Sequence, residues 1–178
     1  MTTTSLKALV EVVLSKSESN TWDTAVLEWQ VVDLEEDPSG QGECVCGHPN
    51  LVQMFTIRNL RNGESLYPIG NVCVRKFGRQ DLDLEVDIFS RMHALRKAIN
   101  EGEAEFTSTH FSRALLGHLY SAGAFTPDEW NHHDGEEDYS FLLDMFNKRN
   151  KDAITTKQQR KINVLLNRKV FPFVLAAG

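Results

Sequence analysis

Two segments decide the fold of this chain, Cys44-Val45-Cys46-Gly47-His48 and, further on, Gly70-Asn71-Val72-Cys73. A structural zinc site uses four Cys or His ligands at tetrahedral angles. The two segments supply such a set in Cys44, Cys46, His48 and Cys73. Single-residue spacing points the first three side chains to one side of an extended segment, and Gly47 permits the backbone to bend. The pattern predicts one structural Zn²⁺ ion.

The metal prediction leaves two alternatives open. His48 could lie outside the ligand set, with the fourth ligand supplied by His93, His110 or a carboxylate. The cysteines could instead be small buried apolar residues without a metal. The chain has three cysteines. An odd number with a C-x-C spacing favours a shared metal over a disulfide framework.

The region around the cysteines reads as a small sheet. Residues 29–34 are typical of a strand, and 52–59 and 64–69 form a predicted hairpin with an Asn62-Gly63 turn. Asn71 is a candidate cap for a short helix that carries Cys73. A cysteine in the first turn of a helix is stabilised as a thiolate by the helix dipole, which favours metal binding.

Helical spacing of apolar residues dominates the rest of the chain. A first helix is predicted over 6–14, a long one over 84–99, and others over 111–119, 141–146 and 156–168, with an acidic loop at 127–138. Ser108 or Thr109 is the candidate cap of the 111–119 helix, and Thr155 precedes the last one. We therefore predict an α+β fold: a small antiparallel sheet (a hairpin) with a zinc knuckle, followed by a helical C-terminal half. Expected domains are 1–80, a zinc-binding α+β module, and 81–178, a helical region.

About 35 residues resemble a group of short, largely uncharacterised phage and bacterial proteins. The shared features are C-x-C-G-H, a strand that ends in Asn, an Asn-Gly turn and G-[S/N]-x-C-[V/I]-x-x-F. They correspond here to 44–48, 57–59, 62–63 and 70–77, and Glu28-Trp29 extends the likeness upstream. This resemblance implies a zinc site and a mobile-element origin, but no reaction.

Charge alternates along the chain in blocks. Basic and acidic residues number 2 and 9 in 1–50, 8 and 5 in 51–100, 1 and 10 in 101–147, and 8 and 1 in 148–178. The last block could bind a partner or nucleic acid, as a basic helix-turn-helix helped by Arg58, Arg61 and Arg75, or it could pair with the acidic 101–147 block. Its candidate binding residues are Lys148, Arg149, Lys151, Lys157, Arg160, Lys161, Arg168 and Lys169.

Sequence motifs for catalysis are lacking. The chain contains no H-E-x-x-H, no zinc-deaminase signature, no phosphate-binding G-x-x-x-x-G-K-[ST] and no G-x-G-x-x-G. The tract His132-His133 with its following acids is typical of a solvated loop rather than a second metal site. We expect a protein that is not an enzyme, although a metal-dependent nuclease built from scattered carboxylates is an alternative that short motifs do not reveal.

The sequence also gives an expectation for the location of the protein in the cell. No apolar stretch approaches the ~20 residues that span a bilayer, and the N-terminus has no signal-peptide pattern. We expect a cytoplasmic protein with no membrane contact, in the host cytoplasm if phage-encoded. The leading hypothesis is a zinc-stabilised binding protein that binds or inhibits a host protein or other macromolecule, and the alternative is a nucleic-acid-binding accessory protein using the 148–169 face.

Overall fold

The computed structural model describes residues 3–177 and has an α+β fold, as predicted. Its strands are β1 (Trp29–Glu36), β2 (Gln53–Asn59) and β3 (Ser65–Ile69). Its helices are α1 (Thr3–Ser15), α2 (Trp22–Ala25), α3 (Asn71–Arg75), α4 (Gln80–Glu101), α5 (Arg113–Ser121), α6 (Gly135–Asn147), α7 (Thr156–Leu165) and α8 (Phe171–Ala176). Short 3₁₀ turns occupy Val26–Glu28, Glu129–Asn131 and Lys151–Ala153, and a π-helical turn, Leu166–Val170, joins α7 to α8.

The three strands form one antiparallel sheet in the order β1-β2-β3. Phe55 and Ile57 alternate with more exposed residues along β2, so both point to the same buried face. Trp29, the first residue of β1, is fully buried and pairs with Asn59 at the end of β2. The sheet therefore places one apolar face against a core that α1, α3 and the start of α4 complete.

The predicted hairpin is β2-β3, but its connection is longer than a two-residue turn. Strand β2 ends at Asn59 and β3 begins at Ser65. Gly63 has a φ of +78°, a conformation that glycine adopts without the steric cost of a Cβ atom. The Asn59 side-chain oxygen accepts hydrogen bonds from the amides of Arg61 and Asn62 at 2.8 and 3.3 Å. The Asn59 side chain thus orders the start of the loop.

Three helix boundaries differ from the sequence prediction. Gly70, not Asn71, is the N-cap of α3. Ser112, not Ser108 or Thr109, caps α5, and its hydroxyl accepts from the Leu115 amide at 3.1 Å. The acidic segment up to 138 is helical from Gly135, because the Asp134 carboxylate accepts from the Glu136 amide and begins α6. Caps depend on which of several nearby polar residues adopts extended backbone, and spacing alone does not select among them.

The chain forms two compact units that divide between Ser90 and Arg91, within α4, and the expected domains 1–80 and 81–178 stay a prediction. In the first unit, Leu82 and Val86 face the core while Leu84, assigned to the apolar stripe by the sequence, is 49 % exposed. In the second unit the helices bury the predicted stripe of α5, and Tyr120 of α5 stacks on Tyr139 of α6 at 4.6 Å. Residues 1–90 carry 7 basic and 14 acidic side chains, and residues 91–178 carry 12 and 11.

Candidate functional site

Three cysteines converge in the first unit. Cys44 and Cys46 lie in the loop between β1 and β2, and Cys73 lies in α3 after the hairpin has returned the chain. Their sulfur atoms all lie within 4.8 Å of one another, and each cysteine is only 2–4 % exposed. The predicted convergence of the three cysteines is therefore confirmed, and the cluster could hold a metal ion.

Backbone hydrogen bonds fold the 44–48 segment into a tight knuckle. The amide of Gly47 donates to the Cys44 carbonyl at 2.7 Å, and the amide of Cys44 donates to the His48 carbonyl at 2.8 Å. Gly47 has a φ of +80°, which the bend requires. The Val45 amide donates to the Pro68 carbonyl at 2.9 Å. The knuckle is thereby attached to β3, so Cys44 and Cys46 both face inward.

Helix α3 brings the third sulfur to the knuckle. The Gly70 amide donates to Cys44 Sγ at 3.4 Å, and the Cys73 and Cys46 sulfurs are 3.4 Å apart. A Cβ atom at Gly70 would lie 3.0 Å from Cδ2 of Leu51, so the Leu51 side chain would have to shift to admit a larger residue there. Residue 70 therefore serves both as helix cap and as a donor to a sulfur atom.

Hydrogen bonding among the thiols shifts the pKa values of Cys44 and Cys73 in opposite directions. The Cys73 thiol donates to Cys44 and, together with backbone donors including the Gly70 amide, outweighs burial and lowers the pKa of Cys44 to about 5. The same hydrogen bond to Cys44, and then burial, raise the pKa of Cys73. The cluster thus accommodates one thiolate readily and resists further negative charge. A divalent cation removes that resistance, because it neutralises the additional thiolates that it binds.

The arrangement fits a tetrahedral thiolate site. A Zn–S bond of about 2.3 Å at tetrahedral angles places ligand sulfurs about 3.8 Å apart. The three sulfurs lie within 4.8 Å of one another, and those of Cys46 and Cys73 are 3.4 Å apart, so the cluster has the size that such a site requires. The surroundings are apolar, since the cysteines belong to the same buried cluster as Ile69, Val74 and Phe77. Such a site is enclosed, as structural metal sites are.

His48 is exposed, and its imidazole is not one of the converging groups. Its carbonyl closes the knuckle, so the residue contributes to the loop through its backbone. His93 and His110, the alternative ligands, belong to the second unit, and the His110 Nδ1 atom lies 3.1 Å from the Glu105 amide. The identity of the fourth ligand, including direct ligation by His48, stays a prediction.

Glu28 is a buried carboxylate next to the sheet, and the sequence named it only through the resemblance at Glu28-Trp29 without predicting its burial. Glu28 is 1 % exposed and accepts hydrogen bonds from the amides of Glu18 and Ser19 and from the Asn59 side chain, at 2.7–2.8 Å. Burial acts to raise its pKa, but the hydrogen bonds from Ser19, Asn59 and the two amides outweigh burial and lower the pKa to about 2. An acidic residue before an apolar strand carries no local signal of burial.

The eight basic residues of 148–169 fall into two groups. Lys169 is almost buried, and its ammonium lies 2.8 Å from Asp128 and 2.6 Å from Asp138. Lys161 lies 3.8 Å from Asp138, Lys151 donates to the carbonyls of helix α6, and Lys148 donates to the Ala153 carbonyl and the Gln158 side chain. Within residues 3–177, neither an ion pair nor a side-chain hydrogen bond involves the other four, which are all exposed: Arg149, Lys157, Arg160 and Arg168.

The charge-pairing alternative describes part of the basic block, and a binding role for the rest stays a prediction. Lys161 and Lys169 pair with aspartates of the acidic 101–147 block, as the charge-pairing alternative predicts. The four exposed cations remain open to solvent. Arg61 and Arg75, suggested helpers, lie near acidic groups of the first unit, with Arg61 3.6 Å from Glu28 and Arg75 2.7 Å from Asp87. Four of the eight candidate binding residues thus have no side-chain partner among the described residues.

The His132-His133 tract forms a turn. Both histidines have positive φ, and His132 Nδ1 lies 2.9 Å from the Glu137 carboxylate, which raises the pKa of His132. Among the described residues, the cysteine cluster is the one group of three or more Cys, His, Asp or Glu ligand atoms that converge for a metal.

The chain matches no protein-family model, and comparison with curated proteins and with solved structures yields no significant match. No helix within residues 3–177 combines the length and apolar character needed to span a bilayer.

Proposed function

We propose that the protein is a non-enzymatic binding protein whose first unit is held together by structural Zn²⁺. The observation that carries this proposal is the enclosure of the cysteine cluster: all three thiols are 2–4 % exposed inside an apolar core. A catalytic zinc keeps one coordination position open to water or substrate, whereas a buried set of thiolates supports folding. Zinc is favoured over harder cations because three thiolates are soft ligands.

In this proposal the zinc-stabilised unit presents a rigid surface to a host macromolecule. The resemblance of 44–48 and 70–77 to phage and bacterial proteins supports a mobile-element origin and action in the host cytoplasm. The strongly acidic character of residues 1–90 favours a partner with a basic surface.

Metal analysis tests the central claim. The purified protein should contain one equivalent of zinc, and Cys73→Ser should lose it because the cluster is left with two thiolates. His48→Ala distinguishes the ligand sets: a direct ligand should weaken zinc binding by orders of magnitude, whereas a backbone role leaves it nearly unchanged. Freshly prepared, unchelated protein without bound metal would rule the zinc proposal out. Hydrolysis of nucleic acid or nucleotide that a single carboxylate substitution abolishes would rule out the non-enzymatic one.

The second candidate function is nucleic-acid binding by the exposed cations Arg149, Lys157, Arg160 and Arg168. Their lack of ion pairs within the described chain favours it, since pairing with protein carboxylates would have to be given up before phosphate is bound. A gel-shift titration across salt should show a steep loss of affinity if several phosphates are contacted. Absence of any shift at low salt removes this candidate.

A further inference from the structure

An open groove of about 610 Å³ lies in the second unit, between residues 126–130 and 160–169. Trp130 forms part of its wall and is 83 % exposed, the highest exposure among the large apolar side chains of the described chain. Two of the four cations that make neither ion pairs nor side-chain hydrogen bonds, Arg160 and Arg168, also line it. An exposed indole therefore faces the same space as two uncompensated guanidinium groups.

Hydrogen bonds of Asp128 and Asn131 hold the backbone of the turn that bears Trp130. The Asp128 carboxylate accepts from the amides of Trp130 and Asn131, at 2.8 and 3.1 Å. The Asn131 side chain is fully buried, accepts from the Asp128 amide at 2.7 Å and donates to Asp138 at 2.9 Å. Because this reciprocal capping box ties the turn to the core, the exposure of Trp130 is a property of a rigid turn.

The opposite wall is also anchored. Lys169 donates to the Thr126 carbonyl at 2.7 Å and lies between Asp128 and Asp138, so it joins the π-helical turn to the segment that bears Trp130. Lys169 and Lys161, which lies 3.8 Å from Asp138, together offset the charges of these two aspartates in the groove. Arg160 and Arg168 then leave the groove with excess positive charge. Short π-helical turns within helices are frequent at functional sites.

We propose that this groove binds a nucleotide unit, with its base stacked on the Trp130 indole and its phosphate bound by Arg160 and Arg168. Base stacking on an exposed aromatic ring and bidentate contact of guanidinium with phosphate are the two interactions that such units offer. Glu129, next to Trp130, is exposed and would repel a long polyanion, which favours contact with one or two phosphates. This proposal rests on the second candidate function, nucleic-acid binding, and assigns that binding to one groove. It does not depend on the zinc cluster.

Another groove, of about 760 Å³, provides no comparable charge. It is lined mainly by apolar and amide side chains, and its one basic residue, Lys151, already donates to the carbonyls of Met145 and Phe146. A phosphate there would meet one cation, and that cation already donates to two carbonyls.

Fluorescence and calorimetric titrations test the site, with adenosine 5′-diphosphate and an eight-nucleotide single-stranded oligoadenylate as probes. Trp29 is buried and Trp22 packs edge-on against Phe77 at 5.4 Å, so quenching by either probe reports chiefly on Trp130. Trp130→Ala should abolish quenching and weaken binding roughly five- to 150-fold. Equal affinity for both probes identifies a free-nucleotide site, and tighter binding of the oligonucleotide identifies a single-stranded nucleic-acid site.

Matched charge variants complete the test. Arg160→Ala and Arg168→Ala should each weaken binding roughly tenfold or more, because each removes a charged hydrogen-bond donor. Lys157→Ala and Arg149→Ala remove the same charge from exposed positions that do not line the groove, and they should change affinity by less than about twofold. Trp130→Phe should retain most of the affinity while losing the fluorescence signal.

Two results would overturn the nucleotide site. One is the absence of heat and quenching with both probes at low salt. The other is an equal loss of affinity in Lys157→Ala and Arg160→Ala, which would leave a diffuse basic surface and preserve the second candidate function without the groove. Zinc content measured on the same samples decides the metal proposal independently.

Discussion

The Glu28 carboxylate joins three segments of the first unit through one buried charge. It accepts hydrogen bonds from residues 18–19 before α2 and from Asn59 at the end of β2, while its own carbonyl accepts from the Leu60 amide at 2.7 Å. The turn after α1 and the start of the hairpin loop therefore converge on a single side chain. Loss of its charge leaves two amides and one side-chain donor with a weaker acceptor.

Replacing Glu28 with Gln should lower the free energy of unfolding at pH 7 by about 2–3 kcal/mol, because charged hydrogen bonds are lost in a buried site. The native pKa of Glu28 is lowered from 4.5 to about 2, so its charge stabilises the fold above pH 4.5, and this contribution is lost as pH falls toward 2. Urea unfolding followed through Trp29 should show the wild-type and variant stabilities converging over that interval.

Glu11→Gln is the control for the Glu28 experiment. Glu11 is exposed and lies 3.8 Å from Lys7 on the surface of α1, so its removal should change stability by well under 1 kcal/mol. A constant difference between wild type and Glu28→Gln from pH 7 to pH 2 would contradict the assigned role of the charge.

Gly135, the first residue of α6, has no room for a side chain. A Cβ atom there would lie 2.1 Å from the Phe125 carbonyl oxygen. We expect Gly135→Ala to lower the free energy of unfolding by about 2 kcal/mol or more, since backbone must move. Gly117→Ala on α5 is the matched control: its Cβ would meet only the Tyr139 hydroxyl at 3.8 Å, and it should be neutral or stabilising by up to about 1 kcal/mol. Thermal unfolding of both variants compares them, and equal effects would contradict this account.

Among the elements, the π-helical turn Leu166–Val170 links segments of the second unit that are far apart in sequence. Its widened backbone carries Lys169, which bridges the loop at Thr126–Asp128 and helix α6 at Asp138. Burial acts to lower the pKa of Lys169, but its contacts with Asp128 and Asp138 outweigh burial and raise it. The hydrogen bond from Lys169 lowers the pKa of Asp128. Lys169 and Asp128 are thus charged at neutral pH.

Lys169→Met should destabilise the second unit by about 3 kcal/mol, because it leaves the buried Asp138 without its cation. Arg168→Met, one residue earlier, removes the same charge from an exposed position and should cost less than 1 kcal/mol. Chemical denaturation measured by helical circular dichroism compares the two. Similar losses in both variants would mean that Lys169 acts as surface charge and not as a buried link.

At the scale of the whole molecule, the two compact units differ both in secondary structure and in charge composition. Residues 1–90 hold the sheet, the cysteine cluster and most of the negative charge, whereas residues 91–178 are helical and nearly neutral. Each unit has its own buried side chains, Phe55 and Ile57 in the first and Leu115, Leu116 and Leu119 in the second. If zinc supplies much of the first unit's stability, the two units should respond differently to its removal.

Chelation should unfold the first unit while helical structure persists in the second. Structural zinc contributes ~10 kcal/mol or more of apparent binding free energy, which is comparable with the entire stability of a small domain. Trp29 is fully buried in the first unit, so its emission should shift to longer wavelength on chelation and recover when zinc is returned. Much of the helical circular dichroism should remain. Simultaneous loss of both signals would indicate one cooperative core.

Local sequence pattern was sufficient for much of this fold. The α+β class, the β2-β3 hairpin, the long helix α4 and the meeting of three cysteines were all predicted from periodicity, turn residues and C-x-C spacing. Each depends on residues close in sequence, or on a return of the chain that one hairpin accomplishes. Hydrophobic period and the steric freedom of glycine act over a few residues, so they can be read without knowledge of tertiary contacts.

Packing between residues far apart in sequence determined the features that the sequence pattern did not predict. The burial of Glu28, the contact of Lys169 with Asp138, and the groove beside Trp130 all depend on partners separated by about 30 residues or more. Nothing in the acidic loop around Trp130 distinguishes an exposed indole on a rigid turn from one packed in a core. Charge and burial are set by the environment that the folded chain builds around a side chain, because solvation and Coulomb energies depend on distance in space and not in sequence.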